Sequence, residues 1–267
     1  MAVAQPSSQT LAGVLARHAA QRPRAVAVQF GGHNLPYGAL LARSQAVAAL
    51  AWHGWGVRPG DRVAWLGHNH VEQLVLLFAL ARIGALLLPL NVRLAPAEWD
   101  GQVADCGPLQ LVHDAALAEA AQALARRAGL AAHPVEELAD APAAGPAAPG
   151  HGRAQAPVLL VFTSGTTSRP KAAVHTQANL LANMAAAARV QAMTPEDTVL
   201  TVLPLFHVGG LCIQTLPALW AGARVLLHPR FDAVATLDAL ARQRPSLTLQ
   251  VPATMKALIE QPQWSAA

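Results

Sequence analysis

The chain has 267 residues, of which 53% are hydrophobic and 13% charged, and its formal net charge is +4. This composition excludes a disordered polypeptide, and the length allows one large domain or two small ones with a buried core. The basic residues are mostly isolated arginines, and only Arg126 and Arg127 are adjacent. Because nucleic-acid-binding proteins cluster their basic residues, we expect no nucleic-acid partner.

The sequence also argues against export, membrane insertion and metal binding. Cys106 and Cys212 are far apart and lack the spacing of a zinc site or a disulfide framework. The N-terminus lacks the basic start and apolar run of a signal peptide. The longest apolar stretch, 74–90, is interrupted by Arg82 and is shorter than the roughly 20 residues that cross a bilayer. We therefore expect a cytoplasmic protein with no transmembrane segment and no metal-ligating side chains.

The first half of the chain predicts alternating helices and strands. Thr10 is a suitable cap for a helix ending near Ala20, and a strand over 25–30 precedes a hairpin turn at 31–35. Apolar spacing then predicts helices over 36–55, 69–85 and 94–107, and an alanine-rich helix that ends at about 127. Strands are predicted within 57–67, 86–91 and 109–114. The His-Asn-His run at 68–70 has no nuclease context and lies at a helix start.

Residues 139–157 are dense in Pro, Gly and Ala and predict a linker or long surface loop, not a packed element. This loop divides a first α/β region, 1–138, from a second, 158–267. The second region predicts a strand, a polar loop and a helix capped by Thr176, followed by further strands and helices. Such alternation is typical of the α/β class, with mainly parallel sheets flanked by helices.

The polar loop lies within the sequence LLVFTSGTTSRPKAAVHT, residues 159–176. Glycine lets backbone N–H groups approach an anion, hydroxyls donate hydrogen bonds and a lysine adds charge, so such a loop can hold phosphates. A solvated linker between two buried elements is the alternative. Lys171 and Lys256 are the only lysines in a chain that otherwise uses arginine, which favours a specific role for Lys171. The loop lacks the Gly-Lys-Ser/Thr of P-loop enzymes, which disfavours a kinase.

The stretch TSGTTSRPKAAVHTQANL resembles the signature loop of the AMP-forming adenylating enzymes, which include acyl-CoA synthetases, firefly luciferase and peptide-synthetase adenylation domains. The matching residues, in order, are Thr163, Ser164, Gly165, Thr166, Thr167, Pro170 and Lys171. Residues 67–99, LPLFHVGGL at 203–211 and LQVPATM at 249–255 resemble further parts of the family, so the resemblance covers nearly the whole chain. Two usual glycines are replaced, by Ser168 and Ala172, which would cost roughly 1 kcal/mol wherever a positive φ is required. Gln177 stands where a histidine is often found, and no role is carried over to it.

The resemblance implies ATP-dependent activation of a carboxylic acid through an acyl-adenylate, with Mg²⁺, followed by transfer to a thiol, usually that of coenzyme A. Phosphate-binding roles are implied for Thr163, Ser164, Gly165, Thr166, Thr167, Ser168 and Lys171. Acid-binding roles are implied for Phe206, His207 and Gly209, with His207 near the reacting carboxylate; a structural hydrogen-bonding role for this histidine is the alternative. Amino-acid-activating relatives usually place an aspartate after the aromatic residue, whereas His207 follows Phe206 here. A fatty or aryl acid is therefore expected, and Asp232 is interpreted as a helix cap.

Family members continue beyond the point that corresponds to Ala267, with adenine- and ribose-binding motifs and a small C-terminal lid domain. We therefore expect residues 1–267 to form an incomplete AMP-binding N-terminal domain that is inactive alone and prone to self-association through an exposed apolar face or sheet edge. Two functions stay open. The sequence is either the N-terminal portion of an acyl-CoA ligase or a truncated, non-catalytic protein that binds an acyl or nucleotide ligand.

Overall fold

The fold was analysed in a computed structural model that describes residues 10–143, 145–163 and 170–264. The helices, in chain order, are α1 (Leu11–Gln21), α2 (Tyr37–Ala49), α3 (Val71–Ile83), α4 (Pro96–Cys106), α5 (Ala118–Ala128), α6 (Val135–Ala139), α7 (Gln177–Val190), α8 (Leu216–Ala221), α9 (Ala233–Gln243) and α10 (Pro252–Ile259). Turns of π-helix extend α2 over Leu50–Gly54 and precede α8 over Gly209–Thr215.

The strands form two sheets. They are β1 (Val26–Phe30), β2 (His33–Pro36), β3 (Arg62–Leu66), β4 (Leu86–Pro89), β5 (Gln110–His113), β6 (Ala131–Pro134), β7 (Pro157–Thr163), β8 (Lys171–Thr176), β9 (Thr198–Thr201), β10 (Arg224–Leu227) and β11 (Leu247–Thr248). One sheet has the order β11-β9-β10-β1-β2 and the other β6-β5-β3-β4-β7-β8. Only the β1–β2 and β7–β8 pairings among the described strands are antiparallel. The predicted α/β class with mainly parallel sheets is confirmed.

Helix α3 forms the centre of the core. Every residue from Glu72 to Ile83 is buried, and the helix packs against α1, α2, β4 and β7. The run from Leu74 to Ala81 is apolar on all sides of the helix, as expected of a helix that other elements enclose. The C-terminal end of α3 is closed by Gly84, whose φ of 78° suits glycine.

Three helix starts follow from local side-chain chemistry. The hydroxyl of Thr10 accepts from Gly13 N at 3.1 Å, that of Thr176 accepts from Asn179 N at 3.1 Å, and the Asp232 carboxylate accepts from Ala235 N at 2.8 Å. Each bond satisfies an N–H group that has no partner within its own helix. The predicted caps are confirmed, including the interpretation of Asp232.

Gln177, to which no role was carried over, joins three helices. Its side chain is fully buried; Oε1 accepts from Leu11 N at 2.9 Å, and Nε2 donates to Ala81 O at 2.8 Å. The first contact satisfies a free N–H at the start of α1, and the second a free carbonyl near the end of α3. This amide therefore has a structural role.

Three local predictions were incomplete or wrong. The segment expected to be a turn at 31–35 already contains the start of β2, and the stretch before residue 140 forms β6 and α6, which were not predicted. The sequence also predicted that the polar loop leads directly into a helix, but β8 lies between them and pairs antiparallel with β7. In strand β8 the β-branched Val174 and Thr176 favour a strand but Lys171 and the two alanines do not, so its pairing with β7 along its whole length decides its conformation.

The Pro/Gly/Ala-rich segment is anchored to the core at several points. Ala148 is 2% exposed, the His151 ring stacks on Trp52, and Ala156 O accepts from Gln177 N at 3.0 Å. Arg82 O, near the end of α3, accepts from His151 N at 2.9 Å and from Gly152 N at 2.8 Å. A Cβ on Gly152 would lie 2.2 Å from Ala81 O, so only glycine allows this approach. As the sequence predicted, the described residues of the segment between α6 and β7 form no helix or strand. The sequence did not predict that the segment is attached to the core.

The C-terminal end leaves apolar side chains in solvent. Strand β11 has two residues and lies at the edge of its sheet. Around it, Val251, Met255, Ile259 and Trp264 are exposed. An exposed apolar face beside a sheet edge favours association, and self-association stays a prediction. No helix in the described part of the chain is long and apolar enough to cross a membrane.

Candidate active site

A cleft of about 500 Å³ lies at the carboxyl ends of β4 and β7 and beside the turn that follows β9. Ligands of parallel α/β sheets bind at this edge, because the loops that leave the strands meet there. Its lining residues are Pro89, Asn91, Leu94, Glu98, Gly101, Gln102, Asp105, Phe162, Thr163, Pro170, Phe206 and His207. Phe206 and His207 were predicted from the sequence, and the structure places them in one cavity with Thr163 and Pro170.

The turn carrying Phe206 and His207 is held in a defined shape. His207 N donates to Pro204 O at 3.2 Å, and Gly209 N donates to His207 Nδ1 at 3.1 Å. Because a backbone N–H can only donate, Nδ1 accepts, and the neutral ring carries its proton on Nε2. Gly209 is buried and is not among the residues that line the cleft, so it contacts the histidine ring from behind.

Gly210 allows the chain to turn back on itself at this point. A Cβ at this position would lie 2.5 Å from both Leu203 O and Pro204 O, a distance that real Cβ atoms do not show. Glycine is therefore required by close backbone approach and not by its φ angle. The two adjacent glycines therefore have different roles. Gly209 N donates a hydrogen bond to the imidazole of His207, and Gly210 allows the backbone to approach Leu203 O and Pro204 O closely.

The two flanks of the predicted phosphate loop lie opposite each other on the β7–β8 hairpin. Thr163 pairs with Lys171 in the antiparallel register, and Thr163 Oγ1 donates to Lys171 O at 3.4 Å. Both residues are exposed. The loop residues Ser164, Gly165, Thr166, Thr167 and Ser168 lie outside the described residues.

Strand β8 changes two expectations about this loop: that a helix begins directly after it, and that Ala172 replaces a glycine with positive φ. Lys171 is the first residue of the six-residue strand β8, and α7 begins after its last residue, roughly 20 Å along the extended chain, so the helix terminus is not adjacent to Lys171. Any anion held there would depend on backbone N–H groups, hydroxyls and Lys171. Ala172 lies in β8 and is not among the described non-glycine residues with positive φ, so its replacement of glycine brings no such strain.

Sequence reasoning missed the third wall of the cleft, which comes from α4. Glu98, Gln102 and Asp105 are spaced by four and three residues and therefore share one face of this helix. All three line the cleft. The polar spacing could have been recognised from the sequence, but the direction in which this face points depends on the packing of α4.

Strongly perturbed ionisable groups occur at the start of α3. The Glu72 side chain is 1% exposed and pairs with Arg43, and burial raises the pKa of its carboxyl to about 7 although Arg43 opposes the change. Burial likewise lowers the pKa of His70, whose Nδ1 accepts from Glu72 N at 3.1 Å. Neither Glu72 nor His70 is among the described residues that line the cleft, so neither is assigned a role in the chemistry of this cavity.

Comparison with known proteins agrees with this architecture. The family model described as AMP-binding enzyme matches residues 15–267, and the chain therefore belongs to that family. The chain is 41% identical over 266 residues to an indoleacetate–CoA ligase of Aromatoleum aromaticum, and 40% identical over 252 residues to a feruloyl-CoA synthase of an Amycolatopsis species. These alignments cover 94% of this chain in both cases and 51% and 50% of the relatives.

A solved structure of similar fold is the ATP-bound form of MatB from Rhodopseudomonas palustris. It superimposes with a TM-score of 0.82 at 29% identity, over 94% of this chain and 52% of that one. The chain thus spans about half the length of the curated relatives it matches.

Proposed function

We propose that this chain forms the acid- and phosphate-binding part of an ATP-dependent, AMP-forming ligase that joins an aromatic carboxylic acid to the thiol of coenzyme A. The observation that carries the proposal is the composition of the cleft. It places the Phe206–His207 turn in the same cavity as Thr163 and Pro170, which flank the Ser/Thr/Gly loop. An acid bound there would lie beside the segment that family resemblance assigns to the phosphates.

An aromatic acid is favoured over a fatty acid for two reasons. The cleft is lined by two phenylalanine rings, Phe162 and Phe206, which offer flat apolar surface to an aromatic ring. In addition, the two relatives at about 40% identity are named for indoleacetate and feruloyl groups, both aromatic, whereas a long-chain-fatty-acid–CoA ligase of Mycobacterium tuberculosis is 29% identical.

The proposed reaction has two steps. A carboxylate oxygen attacks the α-phosphorus of ATP, the bond from that phosphorus to its bridging oxygen breaks, and pyrophosphate leaves with the electron pair. The thiolate of coenzyme A then attacks the acyl carbon, and AMP leaves. The Nε2–H of His207 is the donor that can hold the carboxylate in place, while Lys171 and the loop would balance the charge of the leaving phosphates.

Mg²⁺ enters the proposal only as the ion that accompanies ATP. The described residues contain no group of three or more His, Cys, Asp or Glu side chains arranged to hold a metal ion. These residues therefore do not fit a resident metal site, and no step is assigned to a protein-bound ion. Coenzyme A and a carrier-protein thiol remain alternative acceptors, since no described residue was assigned to that step.

Acid binding can be tested by calorimetric titration of the chain with indole-3-acetate and, as comparison, tryptophan. We expect saturable binding of the carboxylate and weaker binding of the amino acid, because no aspartate follows Phe206 to pair with its ammonium. The substitution His207→Ala should weaken the binding of indole-3-acetate about tenfold or more, since a hydrogen bond to a charged group contributes roughly 1.5–3 kcal/mol. His33→Ala removes an exposed histidine on the β1–β2 hairpin and should change nothing. Equal binding by all three proteins would contradict the proposed site.

We also propose that this chain alone does not complete adenylation, because the chain matches only about half of its relatives. The expected result is carboxylate-dependent ATP–pyrophosphate exchange at background level. Exchange above background, abolished by Lys171→Ala, would show that the chain is sufficient for the first step.

A further inference from the structure

The side chain of Asn69 makes three hydrogen bonds at the boundary of the two sheets. It follows β3 and precedes α3, and it is 4% exposed. Its Oδ1 accepts from Leu205 N at 2.7 Å, and its Nδ2 donates to Leu203 O and to His228 O, both at 3.0 Å. Its own backbone N–H donates to Pro229 O at 3.0 Å. The amide orientation is fixed, because an N–H must face the oxygen and the two carbonyls must face the nitrogen.

These contacts join elements that are far apart in the sequence. Asn69 belongs to the segment leaving β3 of the six-stranded sheet, whereas Leu203 and Leu205 follow β9 and His228 follows β10 of the five-stranded sheet. β9 ends at Thr201, so the next residues lie beyond the strand ladder. Asn69 therefore supplies side-chain partners where the sheet no longer supplies backbone partners.

The segment held in this way leads directly into the cleft. Leu205 is fully buried and immediately precedes Phe206 and His207, which line the cavity. Two further hydrogen bonds of the turn are internal to it, from His207 N to Pro204 O and from Gly209 N to His207 Nδ1. Those internal bonds fix the shape of the turn, but they do not fix where the turn lies relative to β3 and β4. Leu205 packs in the same apolar core cluster as Trp65 and Leu87, and Asn69 adds the directional hydrogen bonds that link the turn to the segment after β3.

We propose that Asn69 is a positioning residue for the acid site: it places the Phe206–His207 turn against the six-stranded sheet, without contacting the acid itself. This inference rests on the proposed function for the identity of the bound acid. The inference predicts that position 69 must be asparagine for the turn to keep its place. Aspartate would keep the contact to Leu205 N, but its second carboxylate oxygen would face the carbonyl oxygens of Leu203 and His228. Alanine would leave all three backbone groups without this partner.

A purely structural role would predict lost stability alone, so the test must report on the turn. We suggest Asn69→Asp, with Asn179→Asp as the matched control. Asn179 is an exposed residue at the start of α7 whose Oδ1 accepts from Thr176 N at 3.1 Å, and aspartate can accept the same bond. Two-dimensional spectra of the ¹⁵N-labelled histidine ring report on the position and tautomer of His207, with assignment through His207→Gln. Calorimetry with indole-3-acetate reports on the site.

In the wild type we expect the His207 ring to be protonated on Nε2 with Nδ1 accepting. Asn69→Asp should shift the His207 ring signals and weaken acid binding about tenfold while cooperative unfolding is retained. Asn179→Asp should change neither signal. A folded Asn69→Asp protein with unchanged His207 signals and unchanged affinity would overturn the inference.

Two further outcomes are informative. If Asn69→Asp does not fold, Asn69→Gln keeps the amide on a longer stem, and it should still shift the His207 signals; unchanged signals and affinity would again overturn the inference. If the wild type binds no aromatic acid but Asn69→Asp still moves the His207 signals, the proposed function fails and the positioning role stands.

Discussion

The buried carboxyl of Glu72 makes the stability of the protein depend on pH in a specific direction. Its side chain is 1% exposed, one oxygen pairs with Arg43, and Oε2 has no hydrogen-bond partner within the described residues. Burial raises the pKa from 4.5 to about 7 in the folded protein. Between these values the folded state holds a proton that the unfolded chain has lost. The stabilising contribution is therefore fully present below about pH 4.5 and is lost as the pH rises through about 7.

The size of this effect follows from the two pKa values. A pKa of about 7 in the folded protein against 4.5 in the unfolded chain corresponds to about 3 kcal/mol. Glu72→Gln imitates the protonated carboxyl at every pH. The difference in free energy of unfolding between wild type and Glu72→Gln should therefore be small near pH 5 and should approach about 3 kcal/mol in favour of the variant near pH 8.

Urea unfolding at constant ionic strength, repeated at intervals across that range, measures this difference. Titrating groups distant from Glu72 are common to both proteins and cancel in the difference to first order. Glu119→Gln removes the same charge from an exposed position on α5 and should give a profile parallel to the wild type. If Glu72→Gln also runs parallel to the wild type, the carboxyl is not held as a neutral buried group and the reasoning is wrong.

Two further substitutions test the packing that supports the cleft and the core. Gly210→Ala would place a Cβ 2.5 Å from two carbonyl oxygens, so we expect a loss of about 1–3 kcal/mol in urea unfolding and weaker binding of indole-3-acetate. Gly150→Ala, where a Cβ meets no atom within 4 Å, should be neutral in both assays; equal behaviour of the two variants would contradict the close approach. Gln177→Leu would leave Leu11 N and Ala81 O buried without their partner, with an expected loss of roughly 2–4 kcal/mol by the same measurement. A change below about 0.5 kcal/mol would show that water or rearrangement satisfies both groups.

The sequence was most informative where structure depends on neighbours in the chain. The caps Thr10, Thr176 and Asp232 were predictable because each side chain bonds an N–H group three residues ahead. The fold class was predictable because apolar periodicity separates helices from strands, and the apolar run from Leu74 to Ala81 indicated a buried helix.

Features that depend on distant pairing could not be predicted in this way. Strand β8 is defined by its register with β7, because its lysine and two alanines weaken the strand signal of Val174 and Thr176. The partners of Asn69 lie about 134–159 positions away, and the contact between Gln177 and Leu11 spans 166. A buried polar residue can be recognised as unusual only once the structure shows what surrounds it.

The cleft shows both cases. The resemblance of LPLFHVGGL pointed to Phe206 and His207, since that motif is continuous in the chain; both line the cleft, and their acid-binding role stays a prediction. The wall from α4 and the hairpin that carries Thr163 and Lys171 required the packing of separate elements. The exposure of β11 and α10 was expected only in general terms, from the anticipated incompleteness of the sheet.

The account depends most on whether an aromatic acid occupies the cleft beside Phe206 and His207. The direct measurement is an isotope-filtered nuclear Overhauser experiment on the labelled chain with unlabelled indole-3-acetate. The account predicts contacts from the indole protons to the rings of Phe206 and Phe162 and to the imidazole of His207. Binding that shows contacts only to residues outside this cleft, or no binding at concentrations that saturate the titration of a full-length relative, would contradict it.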